Sequence, residues 1–324
     1  MKPASFSYHA PRSLGEAVAL LAEFVPQNGR VLAGGQSLVP TMAFRMAQPA
    51  HLIDINGIPE LATVKVDGDK LHIGACVRHS IFESDTVPGP TGALLRKVVH
   101  NIAHHPIRTR GTFGGSVANA DPASEWCCVM AALDGVAVLQ SRRGTRRVGA
   151  ADFYQGVMTT AISEDELLIR CELPMLPADT RSGFMEFSRR KGDFAIAMAL
   201  VTYRVVDGTI ADPRVALGGA ETHPRRMSEA EAALAGAPAD KPMFVAAAEA
   251  AAAACDPMED INNTADYRRS LVRTMVNRAL EAAASARNAA SRSTSTEKTS
   301  SPKWSHGGRW STWCAMIAAR QGRT

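Results

Sequence analysis

Apolar residues recur with two different spacings along the chain, and the changes of spacing predict its elements. From Ala17 to Phe24 the spacing is helical, and Ser13–Glu16 in front of it has the form of a capping box. Short apolar runs over 30–33 and 51–55 predict strands, with a helix over 38–46 between them. This order of elements predicts a β-α-β unit near the N-terminus.

The pattern changes to strict alternation over residues 64–77, which predicts a hairpin whose tip is Asp67–Lys70. A helix is predicted over 93–103, and strands over 137–140 and 167–174. The second half is predicted to be α+β, with three strands followed by three alanine-rich helices. The strands are predicted over 184–189, 195–205 and 214–217, and the helices over 228–234, 243–254 and 265–284.

Composition places the chain among ordinary globular proteins. It has 324 residues, of which 46% are hydrophobic and 21% charged, enough for two domains with substantial cores. The chain contains no apolar run of about eighteen residues, so no membrane span is predicted. Its first residues lack the apolar core of a secretory signal. Six cysteines without C-x-x-C spacing predict reduced thiols and a cytoplasmic protein.

The formal net charge of +4 comes from the C-terminal end. From Arg287 onward there are seven Lys/Arg against one Glu, a net +6, so the rest of the chain carries −2. The body therefore gives no electrostatic reason to expect nucleic acid. Polar low-complexity sequence over 291–301 predicts a disordered tail across 285–324. A basic tail with three tryptophans is also typical of segments that bind a membrane surface or nucleic acid.

Two glycine-rich segments carry the candidate chemistry. Ala33–Leu38 reads AGGQSL, and Arg110–Ser116, about eighty residues later, reads RGTFGGS. Glycine lets the backbone approach a ligand closely, and Ser or Thr adds a donor, a combination suited to a diphosphate. Two such loops suggest one large dinucleotide held from two sides. Neither G-x-G-x-x-G nor G-x-x-x-x-G-K-[ST] occurs, which excludes Rossmann and P-loop fingerprints, and tight turns remain the alternative.

Other reactive side chains do not form a recognisable site. His100, His104 and His105 lack a well-spaced acidic partner, so a polar helix end is the expected role. Cys127 and Cys128 are vicinal and are expected to be buried as small hydrophobes. The acidic residues Asp152 and 164–166 are expected to be solvated. No catalytic residue and no metal ligand is predicted in this chain.

Taken together, four segments resemble the FAD-binding medium subunit of the molybdenum hydroxylases, the group that includes bacterial carbon monoxide dehydrogenase and the FAD module of xanthine dehydrogenase. The segments are 32–40, 52–61, 107–122 and 188–195, and the resemblance extends over residues 1–283. It implies an α+β protein whose residues 1–176 form a two-lobed, PCMH-type FAD-binding domain. Residues 177–284 would form a smaller α+β domain like the C-terminal domain of the carbon monoxide dehydrogenase flavoprotein, followed by the low-complexity tail.

The resemblance also implies which residues contact FAD. The two loops would clasp the diphosphate, and Arg110 offers a charge-assisted contact. Glu125 would bind ribityl or ribose hydroxyls, Ile102 and Leu168 would pack near the cofactor, and Met185 would stand where some relatives place a lysine near the isoalloxazine. The predicted cofactor-binding residues are Ala33, Gly34, Gly35, Gln36, Ser37, Leu38, Ile102, Arg110, Thr112, Gly114, Gly115, Ser116, Glu125 and Leu168.

The implied function is electron transfer within a heterotrimer, expected as a dimer of heterotrimers. The molybdenum cofactor would belong to a large partner subunit and the 2Fe–2S clusters to a small one. Electrons would pass from those clusters through FAD to an external acceptor. Two alternatives remain: a free-standing FAD-dependent oxidoreductase acting on a small molecule, and a non-enzymatic nucleotide-binding or assembly module. The substrate and the electron acceptor are not encoded in any motif of this chain.

Overall fold

The fold is built on separate small sheets, and the computed structural model describes it for residues 2–293. Residues up to Arg287 form one compact unit, so the predicted division at 176/177 stays a prediction. The disordered tail is predicted over 285–324, and its part from residue 294 onward, with the three tryptophans, lies outside the described residues. Across the described part of the chain, no helix is both long and apolar enough to cross a membrane.

The N-terminal lobe is the predicted β-α-β unit with one more strand. In chain order it contains β1 (Ser7–His9), α1 (Leu14–Phe24), β2 (Gly29–Leu32), α2 (Leu38–Ala43) and β3 (His51–Asp54). The three strands pair in parallel in the order β1-β3-β2. The hydroxyl of Ser13 accepts a bond from the Glu16 N–H at 3.2 Å, which caps α1 as predicted. Helix α2 ends before the predicted Met46, because Arg45 adopts a left-handed φ of 58°.

The second lobe surrounds a five-stranded antiparallel sheet of order β4-β5-β10-β6-β7. The predicted hairpin is confirmed, with Asp67 paired to Lys70. The elements of this lobe are β4 (Val64–Asp67), β5 (Lys70–Gly74), α3 (Gly89–Val99), α4 (His105–Arg108), α5 (Phe113–Asn119), α6 (Glu125–Ala132), β6 (Val136–Ser141), β7 (Gly144–Gly149), α7 (Ala150–Phe153), β8 (Tyr154–Gly156), β9 (Thr159–Thr160) and β10 (Leu167–Pro174). Short 3-10 helices cover Val25–Gln27, Ile55–Gly57, Pro59–Ala62 and His79–Glu83.

The C-terminal part is an antiparallel sheet of order β11-β12-β13-β14 followed by three helices. Its elements are β11 (Arg181–Phe187), β12 (Ala197–Val206), β13 (Thr209–Gly218), β14 (Arg225–Arg226), α8 (Ser228–Leu234), α9 (Lys241–Ala254) and α10 (Ala265–Ser293). Helix α10 thus continues past the predicted end at Ala284. The α+β architecture predicted for this half is confirmed.

Helix α6 joins the second lobe to the C-terminal sheet. All eight of its residues are buried, and Trp126 packs between Phe82 and Phe113 on one side. On the other side, Cys128 shares an apolar cluster with Met198 of β12. The opposite face of the sheet packs against the helices α8–α10 in a second cluster. The sheet is therefore buried on both faces, and α6 forms the support for one of them.

The contact between β11 and α10 leaves no room for a side chain at Gly183, because a Cβ there would lie 1.9 Å from the Ala279 carbonyl oxygen. We expect Gly183→Ala to lower the free energy of unfolding by about 2 kcal/mol, since the helix and the sheet must separate. Urea unfolding measures this. The matched control is Gly15→Ala in α1, where a Cβ meets nothing within 4 Å and the change should not destabilise. Equal stability of Gly183→Ala and the wild type would contradict the packing described here.

Candidate functional site

The two glycine-rich segments meet at a cleft of about 740 Å³. Gly34 lies directly against the second loop: a Cβ on Gly34 would be 2.6 Å from the Arg110 carbonyl oxygen and 2.7 Å from the Gly111 Cα. Glycine is needed at this position because the backbone of the first loop rests on that of the second. This reason differs from the one inferred from the sequence, namely that glycine lets the backbone come close to a ligand. The cleft runs from this contact to the loop between β11 and β12.

A chain of hydrogen bonds holds the two loops together. The Arg78 guanidinium donates to the Arg110 carbonyl and, at 2.7 Å, to the Asn56 side-chain oxygen. The Asn56 amide in turn donates to the Ala33 carbonyl at 2.7 Å. Side chains from the segment between the loops therefore connect the start of the first loop with the start of the second. None of these three contacts was predicted, because no sequence motif marks them.

The first loop presents free backbone donors. Within the described residues, the N–H groups of Gly34, Gly35, Gln36 and Ser37 have no hydrogen-bond partner. Gly35 has a φ of 71°, a conformation that glycine adopts without strain. The Gln36 side-chain amide donates to the Gly34 carbonyl at 3.0 Å, which folds the loop on itself. Consecutive unpaired N–H groups of this kind form a concave site for an anion.

The second loop is arranged differently, because the amides of residues 113–116 are already bonded within the protein. Thr112 caps α5 and accepts a bond from the Gly115 N–H at 3.0 Å. The Gly114 N–H donates to the Ala75 carbonyl, and the Ser116 N–H to the Thr112 carbonyl, both at 3.1 Å. Gly114 also packs so closely that a Cβ would lie 2.5 Å from the Ala75 Cα. Free backbone donors are therefore a feature of the first loop, whereas residues 113–116 of the second loop have none.

Thirteen of the fourteen predicted site residues line this one cleft. They are Ala33, Gly34, Gly35, Gln36, Ser37, Leu38, Ile102, Thr112, Gly114, Gly115, Ser116, Glu125 and Leu168. Arg110 is not among the residues that line it. Instead it lines a smaller pocket of about 310 Å³ beside the first loop, together with Asp54 and Asn56. Met185 is also absent from the cleft lining and packs in the cluster of the C-terminal helices.

Two carboxylic acids in the cleft have opposite electrostatic surroundings. Glu125, the first residue of α6, is 9% exposed, and burial raises its pKa to about 7, with a smaller contribution from Asp121. Glu166 is 7% exposed, and two hydrogen bonds of 2.6 Å from the Arg146 guanidinium lower its pKa. The prediction that residues 164–166 are all solvated is thus wrong for Glu166, which is buried as an ion pair.

His79 is a buried cleft residue that sequence reasoning did not single out. It is 4% exposed, and the Trp126 indole N–H donates to its Nδ1 at 2.9 Å, so Nε2 carries the ring proton. Burial, and then the positive charges of Arg78 and Arg108, lower its pKa to about 4. The imidazole is therefore neutral at neutral pH. No motif surrounds His79 in the sequence, and its role depends on the tertiary contact with Trp126.

The loop between β11 and β12 closes one end of the cleft. Gly192, Asp193 and Phe194 all line it, and the Phe194 ring is 75% exposed. Gly192 has a φ of 88° and packs against the 103–104 turn, where a Cβ would lie 2.8 Å from the Ala103 carbonyl oxygen. An exposed aromatic ring at the edge of a cleft is suited to stacking on a flat ligand ring. In the sequence, this loop is marked only by the family resemblance, because it lies in segment 188–195, the last of the four segments that resemble the family.

Of the three histidines set aside in the sequence, His105 has an acidic partner. It begins α4, and its Nδ1 lies 3.3 Å from Oε2 of Glu83, whose other carboxylate oxygen accepts a hydrogen bond from Arg108. In the residues that the structure describes, no three His, Cys, Asp or Glu side chains come together as a metal site. Cys127 and Cys128 are buried free thiols, as predicted.

Comparison with known proteins defines the class. Residues 4–176 match the family described as the FAD-binding domain in molybdopterin dehydrogenases, and residues 182–283 match the C-terminal domain of the CO dehydrogenase flavoprotein. The chain therefore belongs to this flavoprotein family, and the resemblance found in the sequence is confirmed. Its cofactor is FAD.

Individual relatives cover nearly all of the described residues. The medium subunit of nicotine 6-hydroxylase from Paenarthrobacter nicotinovorans is 35% identical over 86% of this chain and 98% of its own length. The beta subunit of caffeine dehydrogenase from Pseudomonas sp. is 37% identical over 88% of this chain and 96% of its own. The solved structure of carbon monoxide dehydrogenase from Hydrogenophaga pseudoflava superposes with a TM-score of 0.84 at 39% identity, over 88% of this chain and 99% of that chain.

The cleft meets the requirements of this cofactor. Its volume of about 740 Å³ lies within the range of small-molecule and cofactor sites. The free N–H groups of residues 34–37 suit a diphosphate, and the apolar side chains Ile102 and Leu168 suit a flat ring system. The chemistry of the donors and the shape of the space thus agree with the family assignment.

The backbone contact between the loops provides a test. We expect Gly34→Ala to weaken FAD binding at least tenfold, because the new Cβ pushes the first loop away from Arg110 and Gly111. Titration of the flavin-depleted chain with FAD, followed by flavin fluorescence, measures the affinity. Gly149→Ala is the control, since a Cβ there meets nothing within 4 Å. If Gly34→Ala bound FAD as the wild type does, the loop contact would not shape the site.

Proposed function

We propose that this chain is the FAD-binding, electron-transferring subunit of a heterotrimeric molybdenum hydroxylase. A large subunit would carry the molybdenum cofactor and a small subunit the 2Fe–2S clusters, as a dimer of heterotrimers. The observation that carries the proposal is the two-loop cleft, in a chain whose family match covers both of its halves. FAD exchanges electrons singly or in pairs, and therefore connects one-electron iron–sulfur centres with a two-electron acceptor.

Within this proposal the chain binds, orients and shields the flavin. The free N–H groups of residues 34–37 hold the diphosphate, and the Ser116 hydroxyl adds a donor from the second loop. Gly114 and Gly115 let α5 pack closely against Ala75 and Thr112. Glu125 accepts hydrogen bonds from ribityl or ribose hydroxyls. Ile102 and Leu168 contact the ring system, and Phe194 covers it from the β11–β12 loop. Arg110 lines the smaller pocket beside the first loop, and not the cleft that holds the flavin.

In this proposal another subunit of the complex, and not this chain, selects the substrate. The relatives named above have names that refer to nicotine, caffeine and carbon monoxide, three chemically different molecules, at similar identities to this sequence. If this kind of subunit selected the substrate, its binding site would have to differ among these three relatives. The external electron acceptor must instead reach the flavin through the open end of the cleft. The five described cysteines are free and buried, which supports a reducing compartment such as the cytoplasm.

The composition of the native complex tests the proposal. We expect the tagged chain, isolated from its own host, to bring down one large and one small subunit in equal amount, because FAD here needs an electron donor. Molybdenum, iron and flavin should be present at about one, four and one per heterotrimer, four irons being two 2Fe–2S clusters. Mass spectrometry and metal analysis of the purified material measure this.

Two other outcomes would contradict the proposal in different ways. Stoichiometric flavin without any partner, together with turnover of a small-molecule reductant, would identify a free-standing oxidoreductase. Neither flavin nor partner, with no uptake of added FAD, would identify a binding or assembly module in which the glycine loops are structural turns.

A further inference from the structure

His79 is a buried side chain of the cleft wall with one polar atom left free. It is 4% exposed, and its Nδ1 accepts the Trp126 indole N–H at 2.9 Å, which leaves the ring proton on Nε2. Within residues 2–293, no atom accepts a hydrogen bond from this Nε2–H group. A buried donor without an acceptor costs free energy, so an acceptor is expected to reach it when the cleft is filled.

The ring of His79 is fixed against the second glycine-rich loop. The His79 backbone N–H donates to the Gly111 carbonyl at 3.1 Å. A Cβ on Gly111 would lie 2.6 Å from the His79 Nε2, so the free nitrogen lies directly beside this glycine. Gly111 is also one of the residues on which Gly34 rests. The imidazole donor is therefore placed where the two loops meet, close to the row of free N–H groups that begins at Gly34.

One carbonyl of the protein approaches the same place, but its lone pairs are already used. The Ile107 carbonyl oxygen would lie 3.2 Å from a Cβ on Gly111. It accepts hydrogen bonds from the Gly111 N–H at 2.7 Å and from the Arg110 N–H at 3.1 Å. Because a carbonyl oxygen has two lone pairs, it offers no further site to the imidazole. The acceptor for His79 must come from a ligand in the cleft.

The charges of the cleft wall indicate that an anion here depends on neutral donors. Four carboxyl side chains line the cleft, namely Asp121, Glu125, Glu166 and Asp193. Arg30 is the only Lys or Arg of residues 2–293 that lines it. Oriented N–H groups can take the place of a cation at such a site. The imidazole is a neutral donor, since burial and then the charges of Arg78 and Arg108 lower the pKa of His79 to about 4.

We propose that His79 is a binding residue of the cofactor site, whose Nε2–H group donates a hydrogen bond to a diphosphate oxygen of FAD beside the free N–H groups of residues 34–37. Trp126 holds the imidazole in the tautomer that presents this donor. The inference rests on the proposed function, since it takes the diphosphate of FAD to bind at the first loop.

Two substitutions of His79 separate its two nitrogen atoms. The asparagine amide takes the place of Nδ1, whereas the longer glutamine amide reaches the place of Nε2. We expect His79→Asn to weaken FAD binding at least tenfold, because the donor to the charged diphosphate is lost. His79→Gln keeps a donor there and should bind within about threefold of the wild type. Flavin fluorescence during titration of the flavin-depleted full-length chain with FAD measures both.

The order of the two variants is the informative readout. If His79 acted only by supporting Trp126, asparagine would be the milder change, because it retains an acceptor for the indole N–H. His100→Asn is the matched control, since His100 is exposed at the end of α3, and this variant should bind FAD as the wild type does.

A measurement on the wild type decides the question if His79→Asn does not fold. His79 is the only histidine of residues 2–293 that lines the cleft. In the full-length chain labelled with ¹⁵N-histidine and loaded with FAD, nuclear magnetic resonance should show one imidazole N–H proton coupled to a phosphorus nucleus across the hydrogen bond.

Three results would overturn the inference while FAD still binds. They are wild-type affinity in His79→Asn, a greater loss in His79→Gln than in His79→Asn, and an FAD-loaded wild type in which no histidine proton is coupled to phosphorus. Failure of the wild type to bind FAD at all would contradict the proposed function instead.

Discussion

The architecture of the site depends on one contact, in which the backbone of Gly34 rests on Arg110 and Gly111 with no side chain between them. Arg78 and Asn56 hold this contact from the side by hydrogen bonds to both loops. Because the loops are fixed together, residues 34–37, whose N–H groups are unpaired in the described structure, line the same cleft as residues of α5 and α6. A half-buried, charge-assisted Arg–Asn connection of this kind gives the rigid placement that an anion-binding backbone requires.

Helix α6 extends this constraint into the C-terminal part. Its first residue, Glu125, lines the cleft, while Cys128, one turn later, packs against the C-terminal sheet beside Met198. A change in α6 therefore acts on the cofactor site and on the packing of the C-terminal sheet together. The same helix also bears Trp126, which sets the tautomer of His79. Binding and domain packing share one short helix, so substitutions in its core should affect both.

The sequence predicts those elements in which the spacing of apolar residues matches the side that is buried in the fold. Helix α1 is clear because one of its faces is buried and the other is not, and the hairpin is clear because Asp67–Lys70 has the composition of a tight turn. Helix α6 escapes detection because every one of its residues is buried, which removes the amphipathic pattern. The strand limits and the end of α10 differ by a few residues, since tertiary contacts decide where each element stops.

The candidate site divides in the same way. The glycine loops are visible because paired glycines beside hydroxyl residues are rare outside turns and ligand cradles. The contributions of Arg78 and His79 are not visible, because each depends on a partner far away in the chain, namely Arg110 and Trp126. The sequence likewise does not reveal that the amides of the second loop are used within the protein, since the Ala75 carbonyl that takes one of them belongs to another segment.

The most direct test of the account is an experimental structure of the full-length chain with FAD bound, in which the distances from the diphosphate oxygens to the backbone nitrogens of residues 34–37 are measured. We predict at least two such distances of about 3 Å, the length of an N–H···O hydrogen bond, with the Glu125 carboxylate at similar distance from a cofactor hydroxyl. A diphosphate bound elsewhere, with those nitrogens facing only solvent, would contradict the central claim that the first glycine loop is the anion site of this flavoprotein.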